Sequence, residues 1–156
     1  MALRIVLGVA IVLTVLAYVV FSGILVTTNS AWYLALEQPP WQPPPWIFGL
    51  IWPYNFLALL VAGGVVTAQA PVGTAVAFAL VLATSVALAL GWAYLFYGPH
   101  ALRWATVCLA AATVLTVALV IVAWTSRPWI GVILVPYQCW LIVATSLSWA
   151  YASQAR

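Results

Sequence analysis

The sequence has very little charge. Charged residues make up 3% of its 156 residues, against about 25% in a soluble domain. There is no lysine, Glu37 is the one acidic residue, and the mean hydropathy is +1.22. A water-facing surface cannot be built from such a set, and the scattered arginines form no basic patch for nucleic acid. The sequence therefore predicts an integral membrane protein with no nucleic-acid partner.

Metal-binding and catalytic residue types are also scarce. Cys108 and Cys139 lie inside apolar runs, with no Cys-x-x-Cys or His/Cys cluster around them, so we predict neither a disulfide nor a metal site. His100 stands in a Pro-His turn, which favours an interfacial residue over a ligand. No nucleophile–base pair or phosphate-binding loop is present. We expect no metal and no required cofactor.

Long apolar runs fill most of the chain. Crossing a bilayer takes about 20 apolar residues in a helix, and five segments are long enough. They are continuous and rich in Ala, Leu and Val, unlike the alternating segments of a β-barrel. We therefore expect an all-α integral membrane protein, a five-transmembrane-helix bundle that forms one domain over residues 1–156. The predicted helices cover residues 4–26, 46–67, 72–96, 101–125 and 128–152, with one long Pro/Trp-rich loop at 27–45.

None of these spans carries an ionisable residue near its middle, which argues against a proton-coupled transporter. The four arginines lie near predicted helix ends, where they would anchor the chain at the membrane surface. Arg4 and Arg127 fall on one side, and Arg103 and Arg156 fall on the other. This tie leaves the membrane orientation open.

The long loop holds the most unusual stretch, EQPPWQPPPW at residues 37–46. Consecutive prolines fix φ and donate no backbone hydrogen bonds, so residues 39–45 are predicted to be stiff and extended. The residues alone leave two interpretations, a rigid spacer between helices or a lid whose tryptophans face a cavity. Pro53 and Pro136 lie inside predicted helices, where kinks would widen the space between them.

Tryptophan is in excess, with ten residues in the chain. Some tryptophans and tyrosines fit membrane interfaces, namely Trp32, Tyr33, Trp104, Trp129 and Tyr151. Others lie deeper, where an indole needs a partner for its N–H or a flat ligand to pack against; these are Trp52, Trp92, Trp140 and Trp149. Asn55 shares a helix face with Trp52 and Phe56, and it would make either an interhelical hydrogen bond or a ligand contact.

A stripe of small residues recurs every four positions in the third predicted helix. Small residues let membrane helices approach closely. The stripe would pack against another helix of the bundle or form a homodimer contact, and both remain open. It consists of Ala75, Ala79, Ala83, Ala87 and Gly91.

Three motifs follow one another along the chain. The first combines Trp32-Tyr33 with LEQPPWQPP at 36–44, Phe48 and Trp52; the second is WAYLFYG at 92–98; the third is LVPYQCW at 134–140, followed by ATSLSW at 144–149. Together they resemble the TspO/MBR family, the tryptophan-rich sensory proteins and mitochondrial translocator proteins. The resemblance implies a five-helix bundle, often dimeric, that binds porphyrins and, in mammalian members, cholesterol.

The resemblance also implies a pocket beneath the first loop. Trp52 and Trp140 match pocket tryptophans, and the lid matches are Tyr33, Trp41, Pro43 and Pro44. Other matches line the pocket or adjoin it, namely Phe48, Tyr137, Ala144 and Ser148. With Asn55 and Trp92 these form the candidate ligand-binding set. At Ala89 the chain departs from the family, which usually has Asn there, so a polar pocket contact is missing.

From this resemblance we expect a tetrapyrrole-binding protein that acts as sensor, carrier or sink, with protoporphyrin IX or haem as the ligand. The ring would stack on Trp52 and Trp140, and its carboxylates would reach Arg127 or Arg103. One alternative is light-dependent porphyrin degradation through Trp52 and Trp140, and another is sterol or lipid transport. Expected partners are membrane lipid, a porphyrin or sterol-like ligand, and a second copy of the chain. The expected location is the bacterial plasma membrane.

Overall fold

The computed structural model describes residues 1–154, and these residues are helical throughout apart from short connections and one longer loop. Five helices are long and apolar enough to cross a membrane, which confirms the predicted five-helix membrane bundle. A short helix, α2, lies within the predicted loop 27–45 and was not predicted. In chain order the helices are α1 (Ala2–Thr28), α2 (Ser30–Leu34), α3 (Pro45–Gln69), α4 (Val72–Tyr97), α5 (Leu102–Ser126) and α6 (Pro128–Gln154).

Proline marks three of the helix starts. Pro45 and Pro128 are the first residues of α3 and α6, and Pro71 is the N-cap of α4. A helix tolerates proline there because the first-turn N–H groups have no intrahelical acceptor. For this reason the long helices begin and end within two residues of the predicted positions.

The five long helices form a ring in the order α1, α4, α5, α6, α3, with α3 closing the ring against α1. At one end of the bundle, Asn29 at the end of α1 donates to the Tyr97 carbonyl at the end of α4, with 2.5 Å from Nδ2 to O. We call this the loop end. At the opposite end, the Arg4 guanidinium donates to the carbonyls of Thr67 and Ala70 and so caps α3. We call this the Arg4 end.

The charged residues divide between these ends as predicted. Arg127 lies at the Arg4 end, where its Nε donates to Gln69 Oε1 over 2.9 Å. Arg103 is exposed at the loop end, at the start of α5. Arg156 lies outside the described residues.

The contact between α1 and α3 is close at only one end. Leu7, Ile11, Val15 and Tyr18 are the buried residues of α1, and the buried residues of α3 begin only at Asn55. Beyond these points α1 is exposed or half-buried, and the half-buried Phe48 and Trp52 of α3 contact α6. The two helices therefore pack together at the Arg4 end and diverge toward the loop end.

Hydrogen bonds between hydroxyls join α5 to α6. Thr113 Oγ1 lies 2.9 Å from Thr145 Oγ1, and Thr106 Oγ1 lies 2.8 Å from Ser148 Oγ. Lipid is as apolar as the helix surfaces, so close packing and such bonds hold membrane helices together. This pair forms a firm wall opposite the gap between α1 and α3.

The small-residue stripe of α4 lies partly inside the bundle and partly on its exposed surface. Ala75 is buried in the bundle, and a Cβ at Gly91 would lie 3.8 Å from Cys108 Sγ of α5. Ala83 and Ala87 are exposed. Part of the stripe thus packs inside the bundle, and a homodimer contact through the exposed part stays a prediction.

Two adjacent glycines of α3 test the α1–α3 contact. A Cβ at Gly63 would come within 2.5 Å of Ile11 Cγ2, whereas a Cβ at Gly64 meets nothing within 4 Å. We expect Gly63→Ala to lower the free energy of unfolding by about 1–3 kcal/mol through overpacking. Gly64→Ala is the matched control and should leave it unchanged or slightly raised. Reversible unfolding in mixed micelles measures both, and equal effects would contradict the close approach.

Candidate ligand-binding site

A cavity of about 320 Å³ lies in the loop-end half of the bundle, where α1 and α3 diverge. This volume is at the lower end of the range for small-molecule sites. All five long helices and α2 contribute to its largely apolar wall. The lining residues are Tyr18, Val19, Ser22, Gly23, Val26, Thr27, Tyr33, Phe48, Trp52, Phe56, Ala89, Trp92, Ala93, Phe96, Tyr97, Leu109, Trp140, Leu141, Ala144, Leu147, Ser148 and Tyr151.

Three rings meet where α1 leaves α3. Trp52 and Phe56, one helical turn apart, stack with centroids 5.6 Å apart and planes at 28°. Tyr18 presents an edge contact to both, at 5.7 and 5.3 Å. Such offset and edge-to-face contacts are the favoured geometries of aromatic pairs. The Tyr18–Trp52–Phe56 cluster therefore fixes this side of the cavity.

Trp140 of α6 stands beside this cluster. Its ring centroid lies 5.0 Å from that of Phe48 and 6.3 Å from that of Trp52. The planes of Trp52 and Trp140 meet at 82°. A flat ligand cannot lie face to face on two perpendicular indoles, so the expectation that one ring stacks on both is wrong. A ring stacked on one indole would meet the edge of the other.

A second aromatic group faces the first across the cavity. Trp92 and Phe96 of α4 lie one turn apart, with centroids separated by 5.6 Å. Tyr33 of α2 contacts Tyr151 at 5.8 Å and Tyr97 at 5.7 Å. The Trp92 Nε1–H donates to Ser148 Oγ over 3.2 Å, which holds that indole against α6.

The loop that follows α2 is attached to α6 by two side chains. The Tyr151 hydroxyl donates to Gln42 Oε1, and Trp41 Nε1 donates to Ser146 Oγ over 3.3 Å. Within the loop, the Gln42 backbone N–H donates to the Pro39 carbonyl over 2.9 Å, which closes a turn. The prediction of an extended segment over residues 39–45 is therefore wrong at this turn.

The α2 side of the loop has its own attachment. Trp32 stacks on His100 with centroids 3.8 Å apart and planes at 13°. His100 has a φ of +56°, a left-handed conformation that is uncommon outside glycine. Its imidazole thus lies on the indole in the turn between α4 and α5.

The structure brings seven of the predicted site residues into the cavity wall. The seven are Tyr33, Phe48, Trp52, Trp92, Trp140, Ala144 and Ser148. The other five lie outside it. Trp41 is 55% exposed over α6, Pro43 and Pro44 lie in the loop, and Asn55 and Tyr137 are buried in the bundle.

The predicted positions of one tryptophan and one tyrosine relative to the membrane interface were wrong. Trp149, expected deep in the bundle, is 68% exposed, whereas Tyr151, expected at the interface, is buried and lines the cavity. The α1 contribution was missed altogether. Tyr18 and Phe21 are the aromatic residues of α1, and Tyr18 is the one that lines the cavity, together with the small or polar Ser22, Gly23 and Thr27.

The cavity wall offers a ligand few polar contacts. Ala89, where the family usually has Asn, lies in the wall and is 3% exposed. Asn55 does not line the cavity, and within the described residues neither of its amide atoms has a hydrogen-bond partner. It therefore does not replace the missing contact. Arg127 lies at the opposite end of the bundle, so the expectation that it reaches a ligand is wrong.

Comparisons with known proteins agree with this architecture. A model of the TspO/MBR family matches residues 9–153. The tryptophan-rich sensory protein of Cereibacter sphaeroides is 32% identical, covering 75% of this chain and 72% of its own. The human translocator protein is 28% identical, covering 76% and 71%. The uncharacterized membrane protein YtaB of Bacillus subtilis is 29% identical, covering 92% and 94%.

The attachment of the loop to α6 can be tested with one hydroxyl. Tyr151→Phe keeps the ring and removes the bond to Gln42. A neutral hydrogen bond is worth about 1 kcal/mol, so we expect hydrogen exchange of the loop backbone at 36–44 to rise about fivefold. Tyr54→Phe, which removes a hydroxyl bond to the Ile133 carbonyl, should leave loop exchange unchanged. Equal exchange in both variants would mean that Tyr151 does not hold the loop.

Proposed function

The chain belongs to the TspO/MBR family of membrane proteins, and from that premise we propose that its cavity binds a tetrapyrrole, with protoporphyrin IX or haem as the first candidates. One observation carries the proposal. Trp52 of α3, Trp92 of α4 and Trp140 of α6 converge on one apolar cavity at the loop end. Flat conjugated ligands suit such a site, because they pack against indole faces with little loss of conformational entropy.

The perpendicular indoles define how the ring would lie. It would stack on one of Trp52 and Trp140 and contact the edge of the other, with the second aromatic group opposite. The loop over residues 36–44, attached to α6 through Gln42, would retain the ligand. Opening of this loop would allow exchange.

The role in the cell belongs to the proposal as well. Relatives are named translocator protein and tryptophan-rich sensory protein, and a bound tetrapyrrole would suit either a carrier or a sensor. We place the chain in a bacterial plasma membrane and expect a homodimer there. No wall residue supplies an obvious acid–base pair, so binding rather than turnover is proposed.

Titration of the purified protein in nanodiscs with protoporphyrin IX, followed by tryptophan quenching, tests the proposal. We expect saturable binding in the micromolar range or tighter, corresponding to roughly −8 kcal/mol or better. Trp52→Phe and Trp140→Phe should each weaken it about three- to tenfold, since a lost aromatic contact costs about 0.5–1.5 kcal/mol.

Trp129→Phe is the matched control, because Trp129 is 51% exposed at the Arg4 end, away from the cavity. It should bind like the unaltered protein. Linear quenching that is equal in every variant would show partitioning into lipid and contradict the proposal. New absorbance bands that arise only under illumination would point to porphyrin degradation instead.

A further inference from the structure

The cavity wall contains one buried donor without a protein partner. Trp140 is 6% exposed, and its Nε1–H meets no acceptor among the described residues. Three other polar side chains of the wall already donate to protein acceptors. Trp92 donates to Ser148, Tyr151 donates to Gln42, and Thr27 Oγ1 donates to the Gly23 carbonyl over 2.9 Å. An unpaired buried donor is unfavourable, so a ligand acceptor at this indole would supply a hydrogen bond that the protein lacks.

Among residues 1–154, no charged side chain lines the cavity. Its wall contains no Arg, Lys, His, Asp or Glu. Arg4 and Arg127 lie at the opposite end of the bundle, bonded to α3. Arg103 lines a separate surface groove with His100 and Trp104. The charge on the loop itself is negative, since Glu37 is exposed there.

An ionised carboxylate in such a cavity would be poorly compensated. Moving it out of water is costly unless a cation or several donors replace its hydration. Ala89, which is 3% exposed in the wall, supplies no side-chain donor to an anion. A neutral ligand meets none of these costs.

We propose that the cavity binds an uncharged flat macrocycle, which presents one peripheral acceptor such as an ester or ketone carbonyl to Trp140 Nε1, more tightly than a free di-acid such as protoporphyrin IX. This inference rests on the proposed tetrapyrrole function and specifies the chemical class of the ligand. Trp140 would then determine specificity through its N–H as well as through its ring.

Three ligands with the same ring separate the effect of the carboxylate charge from that of the peripheral acceptor. They are mesoporphyrin IX dimethyl ester, its free di-acid, and etioporphyrin, which carries only alkyl groups. Each is titrated against the full chain in nanodiscs, and affinities are expressed per membrane-dissolved ligand after calibration with empty nanodiscs. We expect the di-acid to bind at least tenfold more weakly than the diester at neutral pH.

Trp140→Phe should weaken diester binding about fivefold more than etioporphyrin binding. Trp92→Phe is the matched control, because its N–H already donates to Ser148, and it should affect the diester and etioporphyrin equally. In the unaltered protein, the indole ¹H–¹⁵N resonance of Trp140 should shift further with the diester than with etioporphyrin. This measurement does not depend on the folding of a variant.

The outcomes are distinguishable. A di-acid that binds as tightly as the diester would overturn the charge discrimination and leave the tetrapyrrole function standing. Equal losses for diester and etioporphyrin in Trp140→Phe, with equal resonance shifts, would overturn the acceptor contact. Failure of all three porphyrins to bind saturably would remove the proposed function itself, and this inference with it.

Discussion

The contact of Tyr18 with Trp52 and Phe56 is the interaction on which the site depends. Toward the Arg4 end, Gly63 lets α1 approach α3 so closely that a Cβ would overlap Ile11. About two to three helical turns farther, three rings with centroids 5.3–5.7 Å apart occupy the same interface. Rings of this size cannot be accommodated at the glycine spacing, so the helices diverge. The cavity is the space that this divergence leaves.

The loop over residues 36–44 is held differently from the cavity walls. The α5–α6 wall has paired hydroxyls and close packing along its length, whereas the loop is attached to α6 through Trp41 and Gln42. Each such bond contributes about 1 kcal/mol, so the loop can open at far lower free energy than the bundle can unfold. Under the proposed function, a weakly attached loop next to a rigid aromatic site would retain an apolar ligand and still allow its exchange.

Much of the fold could be predicted from the sequence, because its strongest constraints are local. Five apolar runs bounded by prolines and polar turns determine where helices begin and end, and Pro45, Pro71 and Pro128 mark three of the starts. The motif residues around Trp52, Trp92 and Trp140 also indicated three walls of the cavity. The α1 wall was not predicted, because α1 is largely apolar and its inward face depends on which helices it meets.

The loop contacts escaped prediction for a similar reason. The bonds of Gln42 to Tyr151 and of Trp41 to Ser146 join residues more than one hundred positions apart, and no local pattern indicates such pairs. The perpendicular setting of Trp52 and Trp140 depends on how α3 packs on α6. The sequence motifs predict that Trp52 and Trp140 share one site, but they do not predict the angle between the two ring planes.

The central claim is that the ligand occupies this cavity, and filling the cavity tests it most directly. Ala144→Phe places a ring in the wall, whereas Ala77→Phe places the same ring on the exposed face of α4. With folding verified by thermal unfolding, we predict that Ala144→Phe loses saturable protoporphyrin IX binding and that Ala77→Phe retains it. Undiminished binding in a folded Ala144→Phe protein would place the ligand elsewhere and contradict the account.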